Sequence, residues 1–316
     1  MIRFARSLKL RISEWLLIGF FIYVVVISPF FPARPHLGLQ PLVALAAVFT
    51  LLSLLARAQR TRFGHAVSIV RDWLPIFVTL AAFLEMELFL PPHYNYADEL
   101  AWIRLDRLLL DNWHLRGIIQ SLGPVIPMYL ELCYLLVYGV AAVCLWMLYL
   151  EVRRRYADIF LTIYLAGTLT AYGLFPYFPS QPPRVAFPGM DNPGTTNWIR
   201  ELNLFILSHG SIHSGVFPSA HVSSVFSASW AMFLLLPKRK FFAWGLLIYA
   251  VSVSIGTVYG RYHYGADVLA GFAVGLVAGA LCLIWCKVPG MAALLPADAT
   301  REDVIGKATI DKRSRH

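Results

Sequence analysis

His263 and Asp267, in the string Tyr262-His263-Tyr264-Gly265-Ala266-Asp267, stand four residues apart at the start of a long apolar stretch. On a helix that spacing puts both on one face. A carboxylate bonded to one ring nitrogen fixes the tautomer and makes the other nitrogen a better nucleophile. His221, in Phe217-Pro218-Ser219-Ala220-His221, opens another apolar stretch. Pro218 suits the first turn of a helix, where no backbone bond is lost. The free N–H groups of Ser219, Ala220 and His221 would then face an anion, with the Ser219 hydroxyl as a further donor. Taken singly, each string also has a plainer explanation. One is a Tyr-His-Tyr interface belt with Asp267 as a helix cap, the other an ordinary capped helix start.

Together the strings are coupled, because two apolar stretches joined through Lys238-Arg239-Lys240 separate them and bring them back to one face. One histidine there can attack phosphorus while the other protonates the leaving oxygen. Phosphoryl transfer also calls for cations around the transferred group. Arg184, in Gln181-Pro182-Pro183-Arg184, and Arg261 fall on the same face, and either can take a phosphate bidentately or anchor a lipid headgroup. A metal site built from His221, His263 and Asp267 stays open on ligand type alone.

The elements that must hold these residues are membrane helices. The chain of 316 residues is 58% hydrophobic and 14% charged, with mean hydropathy +0.62, which places it outside the soluble globular range. Eight continuous apolar stretches, at about 14–31, 38–56, 73–90, 124–150, 157–177, 217–237, 241–259 and 264–286, are each near the length that crosses a bilayer. They lack the alternation of barrel strands. The expected fold is all-α, a polytopic membrane bundle of about eight spans. Two helices (1–72) precede a six-helix core (73–287), and a mobile cytoplasmic tail (288–316) follows. Trp15 to Phe31 reads as an uncleaved signal anchor rather than a cleaved leader.

Of the 27 lysines and arginines, 20 fall in the N-terminus, the even-to-odd loops such as Arg153-Arg154-Arg155, and the tail. The positive-inside rule puts those segments in the cytoplasm and both histidine strings outside. The net charge of +9 is thus a topology signal, and nucleic acid is excluded as a partner because the cations form no single face. The segment 97–122 mixes leucines with Asp98, Glu99, Arg104, Asp106 and Arg107, the pattern of an interfacial amphipathic helix on the outer face. Cys133, Cys144, Cys282 and Cys286 lie in apolar stretches and read as packing residues. Glu85, Glu87 and Glu131 sit near outer span ends, as acceptor-pocket or helix-pairing groups. His209 and His213 read as solvated loop residues.

Pro218-Ser219-Ala220-His221 and His263-x-x-x-Asp267 resemble the signature of the type 2 phosphatidic acid phosphatase superfamily. The resemblance implies His263 as a nucleophile that forms a phosphohistidine, Asp267 as its partner, His221 as the acid, and a reaction without a metal or other cofactor. Two features depart from the phosphatases. Gly256 and Thr257 stand where they place Ser-Arg, and Tyr177 and Val185 break their Lys-x6-Arg-Pro motif around Arg184. The Pro-Pro-containing outer loop and the tyrosine-rich His263 string are more similar to the inositol phosphorylceramide synthase branch, the inositolphosphotransferases of sphingolipid metabolism. The expected function is lipid phosphotransfer at the outer face of a membrane, with a bacterial inner membrane favoured by the short loops. Membrane lipids would be the substrates. A lipid phosphatase is the alternative when water is the acceptor. A noncatalytic transporter or scaffold, the third alternative, would call for charges in mid-span and broken helices.

Overall fold

The apolar runs fold as helices because a backbone inside a bilayer must satisfy its polar groups internally. The computed structural model describes residues 9–31, 39–89, 91, 94–212 and 215–286, and among these every regular element is helical. In chain order they are α1 (Ile12–Ile27), α2 (Gln40–Ala58), α3 (Gly64–Glu85), α4 (Ala97–Arg107), α5 (Leu115–Ser121), α6 (Val125–Leu136) and α7 (Val140–Leu150). There follow α8 (Ala157–Leu174), the single turn α9 (Pro183–Ala186), α10 (Trp198–Gly210), α11 (Ala220–Leu235), α12 (Lys240–Tyr259) and α13 (Gly265–Cys286).

Among the described residues, six stretches are long and apolar enough to cross a bilayer: Ile12–Phe30, Gln40–Ala58, Gly64–Phe89, Val125–Leu150, Arg154–Tyr177 and Pro237–Tyr259. The chain is an integral membrane protein. The expectation of eight spans is met by eight apolar helices among the described residues: α11 (Ala220–Leu235) is shorter than the six, and α13 (Gly265–Cys286) has 22 residues. At about 1.5 Å per residue, α11 covers only about 24 Å.

α11 is the central helix, packed against α8, α12 and α13. Small buried residues, Ser223, Ser227, Ala228 and Ala231, allow that close fit. One close backbone approach is at the site itself: a Cβ on Gly271 of α13 would fall 2.4 Å from the Ser219 carbonyl oxygen. This contact presses the start of α11 against α13 and sets how far apart the two histidine strings sit. α1 packs on α8, α2 and α3, so the N-terminal helices belong to the same body as the core.

The basic turns gather at one end. Arg239 pairs with Glu151 at 2.9 Å, Arg154 with Asp72 at 2.7 Å, and Arg11 with the same Asp72 at 2.6 Å. Residues 184, 221 and 263 are at the other end of the helices that leave these turns. The expected interfacial helix over 97–122 is not continuous. α4 runs into a π-helical turn, Leu108–Asn112, and α5 restarts after His114, whose φ is 58°. Cys133 and Cys144 are buried, as packing residues should be. His213, the tail and the side chains of Cys282 and Cys286 lie outside the described residues.

Candidate active site

The turn that carries His263 is built by the way α12 ends. The N–H of Arg261 donates to Val258 O (3.1 Å) and that of Tyr262 to Thr257 O (2.9 Å). This is a Schellman motif, and it places Arg261 in the left-handed region (φ 67°), where glycine is the usual occupant. The chain reverses there, and His263 N–H also donates to Thr257 O at 3.1 Å. α13 then starts at Gly265. Asp267 reaches back to accept the N–H of Tyr264 at 2.8 Å, half of a capping box.

The same Asp267 oxygen lies 3.3 Å from Nδ1 of His263, and the Val216 carbonyl lies 3.1 Å from that nitrogen. Two acceptors facing Nδ1 place the proton there. Nε2 is left with a lone pair, and it points at Nδ1 of His221, 3.2 Å away. Asp267 therefore serves both as helix cap and as histidine partner, the two uses the sequence left as alternatives. His263 is 5% exposed and Asp267 0%. Burial first, and the Arg184 cation second, hold the His263 ring below the usual histidine range, with the bond to Val216 opposing them.

His221 comes from the first turn of α11 and packs on two tyrosine rings, Tyr134 (5.2 Å) and Tyr138 (5.4 Å, edge-on). The helix start differs from the sequence expectation. Ser219 is the cap, its Oγ accepting the Val222 N–H at 3.4 Å, so Pro218 stands outside the helix rather than in its first turn. The Ser219 N–H is not free either, since it donates to the Asp267 carbonyl at 2.9 Å. Ser219 is fully buried and ties the two strings together; it does not line the cavity described next.

A cavity of about 460 Å³ opens onto both rings. Arg184, Tyr262, His221 and His263 form its polar end. From there it descends beside α8, past Tyr172, Thr168 and Tyr164, to Ile76 and Leu80 of α3. Phe77 and Leu80 also stand 67% and 56% exposed, on the surface that faces lipid. Among the described residues, no hydrogen bond or ion pair engages the Arg184 guanidinium, whose one contact of note is the Tyr262 ring at 5.7 Å. Arg261 is placed differently. It does not line the cavity; its Nη2 reaches the Pro183 carbonyl at 3.5 Å, and its own carbonyl accepts the Arg184 N–H at 3.3 Å. Of the two arginines singled out in the sequence, one faces the histidines and the other braces the turn beneath it. No group of three or more His, Cys, Asp or Glu among the described residues is arranged to hold a metal ion.

Sequence reasoning missed the wall behind Tyr262. Its ring stacks on Tyr134 (3.9 Å, 8°), and its hydroxyl donates to Glu131 at 2.6 Å. Arg200 of α10 binds Glu131 (2.8 Å) and the Gly260 carbonyl (3.0 Å), and Asn203 donates to the same carboxylate at 2.9 Å. Glu131 is thus a helix-pairing group. A carboxylate in an apolar stretch was the available signal, but its partners lie 69 to 131 residues away. His209 is exposed, as expected.

A family model described as PAP2 superfamily matches residues 101–281, more than half of the chain. The protein belongs to the PAP2 superfamily, and is an enzyme, a phosphatase or phosphotransferase, acting on phosphate esters. Comparison with curated proteins and with solved structures returns no significant match.

Proposed function

We propose that the protein is a lipid phosphotransferase of the inositol phosphorylceramide synthase-like branch. It would take a phospho-headgroup from one lipid and pass it to a second alcohol through a phosphohistidine on His263. The observation that carries this reading is the polar end of the cavity. A histidine nitrogen with its lone pair directed inward, a second histidine and an unpaired arginine meet there, above an apolar arm open to the bilayer.

In the first half-reaction, Nε2 of His263 attacks phosphorus and the bond from phosphorus to the donor's leaving oxygen breaks. His221, protonated, gives its proton to that oxygen. The charge of a bound phosphate stabilises the protonated ring this role needs. Asp267 keeps the proton on Nδ1 and stabilises the charge that builds on His263. In the second half-reaction, the acceptor alcohol loses its proton to His221, attacks phosphorus and breaks the N–P bond. Arg184 holds the phosphoryl oxygens, and Ser219 and Arg261 keep the two strings in place around them. Nε2 of His263 and Nδ1 of His221 are 3.2 Å apart, too close for phosphorus to sit between them, so His221 must swing aside to admit it. The aromatic walls, Tyr134, Tyr138, Tyr172 and Phe175, favour an alcohol over water by excluding solvent.

Purified protein is incubated with a long-chain alcohol of the ceramide type as acceptor and, in turn, with phosphatidylinositol, phosphatidate or a polyprenyl diphosphate, each labelled in phosphate. A labelled phosphate ester of that alcohol is the expected product, a phosphodiester when phosphatidylinositol is the donor. Free phosphate or inositol phosphate alone would make water the acceptor, as in a phosphatase, and no turnover of any lipid would remove the reading. The charge pattern favours the outer face for the site, and the short loops favour a bacterial inner membrane, whose outer face is periplasmic. Cysteines placed at Arg154 and Arg239 should then react only from the cytoplasm and one at Asn192 only from outside; reversed labelling would contradict that placement.

A further inference from the structure

We propose that Asp106 of α4 is a positioning residue of the reaction: its carboxylate fixes the first peptide of α13, and through it the turn from His263 to Asp267. The proposal rests on the phosphohistidine reading above. From its sequence α4 is a surface helix, yet one face of it is among the most buried polar surfaces in the protein. Glu99 and Asp106 are each 1% exposed and Ile103 3%. That face touches all three strings of the site. Glu99 accepts the Gln181 N–H at 3.3 Å, just ahead of Arg184. Trp102 stacks on Phe217 (5.1 Å, 14°), just ahead of the α11 cap, and packs on Tyr264 at 5.5 Å. Asp106 Oδ1 accepts the N–H of Gly265 at 2.7 Å.

The last bond has a specific consequence. The first N–H groups of a helix have no partner within it, and a carboxylate in front of them is favoured by hydrogen bonding and by the helix dipole. Here the cap comes from another helix. The position it holds lies two residues after His263 and two before Asp267, so a shift of Gly265 changes the distance on which the His263–Asp267 contact depends. Gly265 leaves room for it: a Cβ there would come 3.1 Å from Asp106 Oδ1. Asp106 touches neither ring and does not line the cavity, so it acts only through the backbone it holds.

The test uses the full chain and the three labelled lipids named above. It measures kcat, KM, the rate of phosphoenzyme formation and the thermal midpoint in detergent. Asp106→Ala should lower kcat and the labelling rate toward about 10²-fold, the scale of a displacement near 1 Å, with KM little changed. Asp106→Asn keeps an oxygen for the Gly265 N–H and should recover most of that loss. Gly265→Ala leaves the carboxylate in place but crowds it, and should show the same split between kcat and KM. Adding it to Asp106→Ala should cost nothing further, because both act on one contact. If Asp106→Ala does not fold, Gly265→Ala decides. Parent kcat in Asp106→Ala or Gly265→Ala, or equal losses in Asp106→Asn and Asp106→Ala, would overturn the proposal. His263→Ala is the control for the reading beneath it. Turnover by that variant removes the reading, whereas an inactive His263→Ala beside a fully active Asp106→Ala removes only the role of Asp106.

Discussion

The two ends of the bundle carry similar residue types and use them in opposite ways. At the arginine-rich end, charges are matched. Glu14 and Arg71 are 0% and 3% exposed and share a hydrogen bond of 2.7 Å. Asp72 takes Arg11 and Arg154, and Asp158 accepts the N–H groups of Ile12 and Ser13 at the start of α1. At the histidine end, among the described residues, Arg184 faces a cavity with no carboxylate against it, and the lone pair of His263 meets a second histidine. A buried charge without its partner is costly. Arg200 at this end is matched by Glu131, so the unmatched Arg184 is the cation placed to receive an anion, whereas the matched end fixes α1 and α3 to the core.

Three substitutions press on that contrast. His221→Ala, at the unmatched end, should lower turnover by about 10²–10⁴-fold, the usual range for a lost general acid. Expression and thermal midpoint should match the parent, and near-parental turnover would take the acid role away from His221. Arg184→Gln should cost about 10²–10³-fold in kcat/KM, the scale of one lost donor to developing charge. It also carries a pH signature. Burial and the Arg184 cation hold the His263 pKa down, so the neutral ring persists below pH 6.5 in the parent. Without the cation that pKa rises, and phosphoenzyme formation should fall off at a higher pH as the solution is acidified. An acid limb that stays in place would show that Arg184 does not act on His263. At the matched end, Glu14→Ala strands a buried Arg71 and should destabilise the protein by about 3–5 kcal/mol, read from detergent unfolding. Turnover per folded molecule should stay within about twofold of the parent, since additivity holds between distant sites. A loss of turnover as large as that of His221→Ala would erase the distinction between the ends.

The apolar runs were legible because a membrane leaves the backbone few choices, and the two histidine strings because ionisable groups beside such runs are rare. The convergence of His221, His263 and Asp267 followed from helix direction alone. Three things did not follow. The close seating of the start of α11 on α13 depends on Gly271 admitting Ser219, a contact between helices rather than a property of either. The different fates of Arg184 and Arg261 depend on the left-handed residue that ends α12, which places the Arg261 side chain against Pro183. The docking of α4 depends on Asp106 meeting Gly265, 159 residues later. An amphipathic pattern reports that one face is buried but not whether lipid or protein covers it.

The central claim is that His263 carries the phosphoryl group. Rapid quench of the parent with phosphate-labelled lipid, followed by peptide mapping under alkaline conditions, measures it directly. The account predicts an acid-labile, base-stable label on His263. It should form within a single turnover, slow in Asp267→Asn and be absent in His263→Ala. Label on any other residue, or full turnover by His263→Ala, would contradict it.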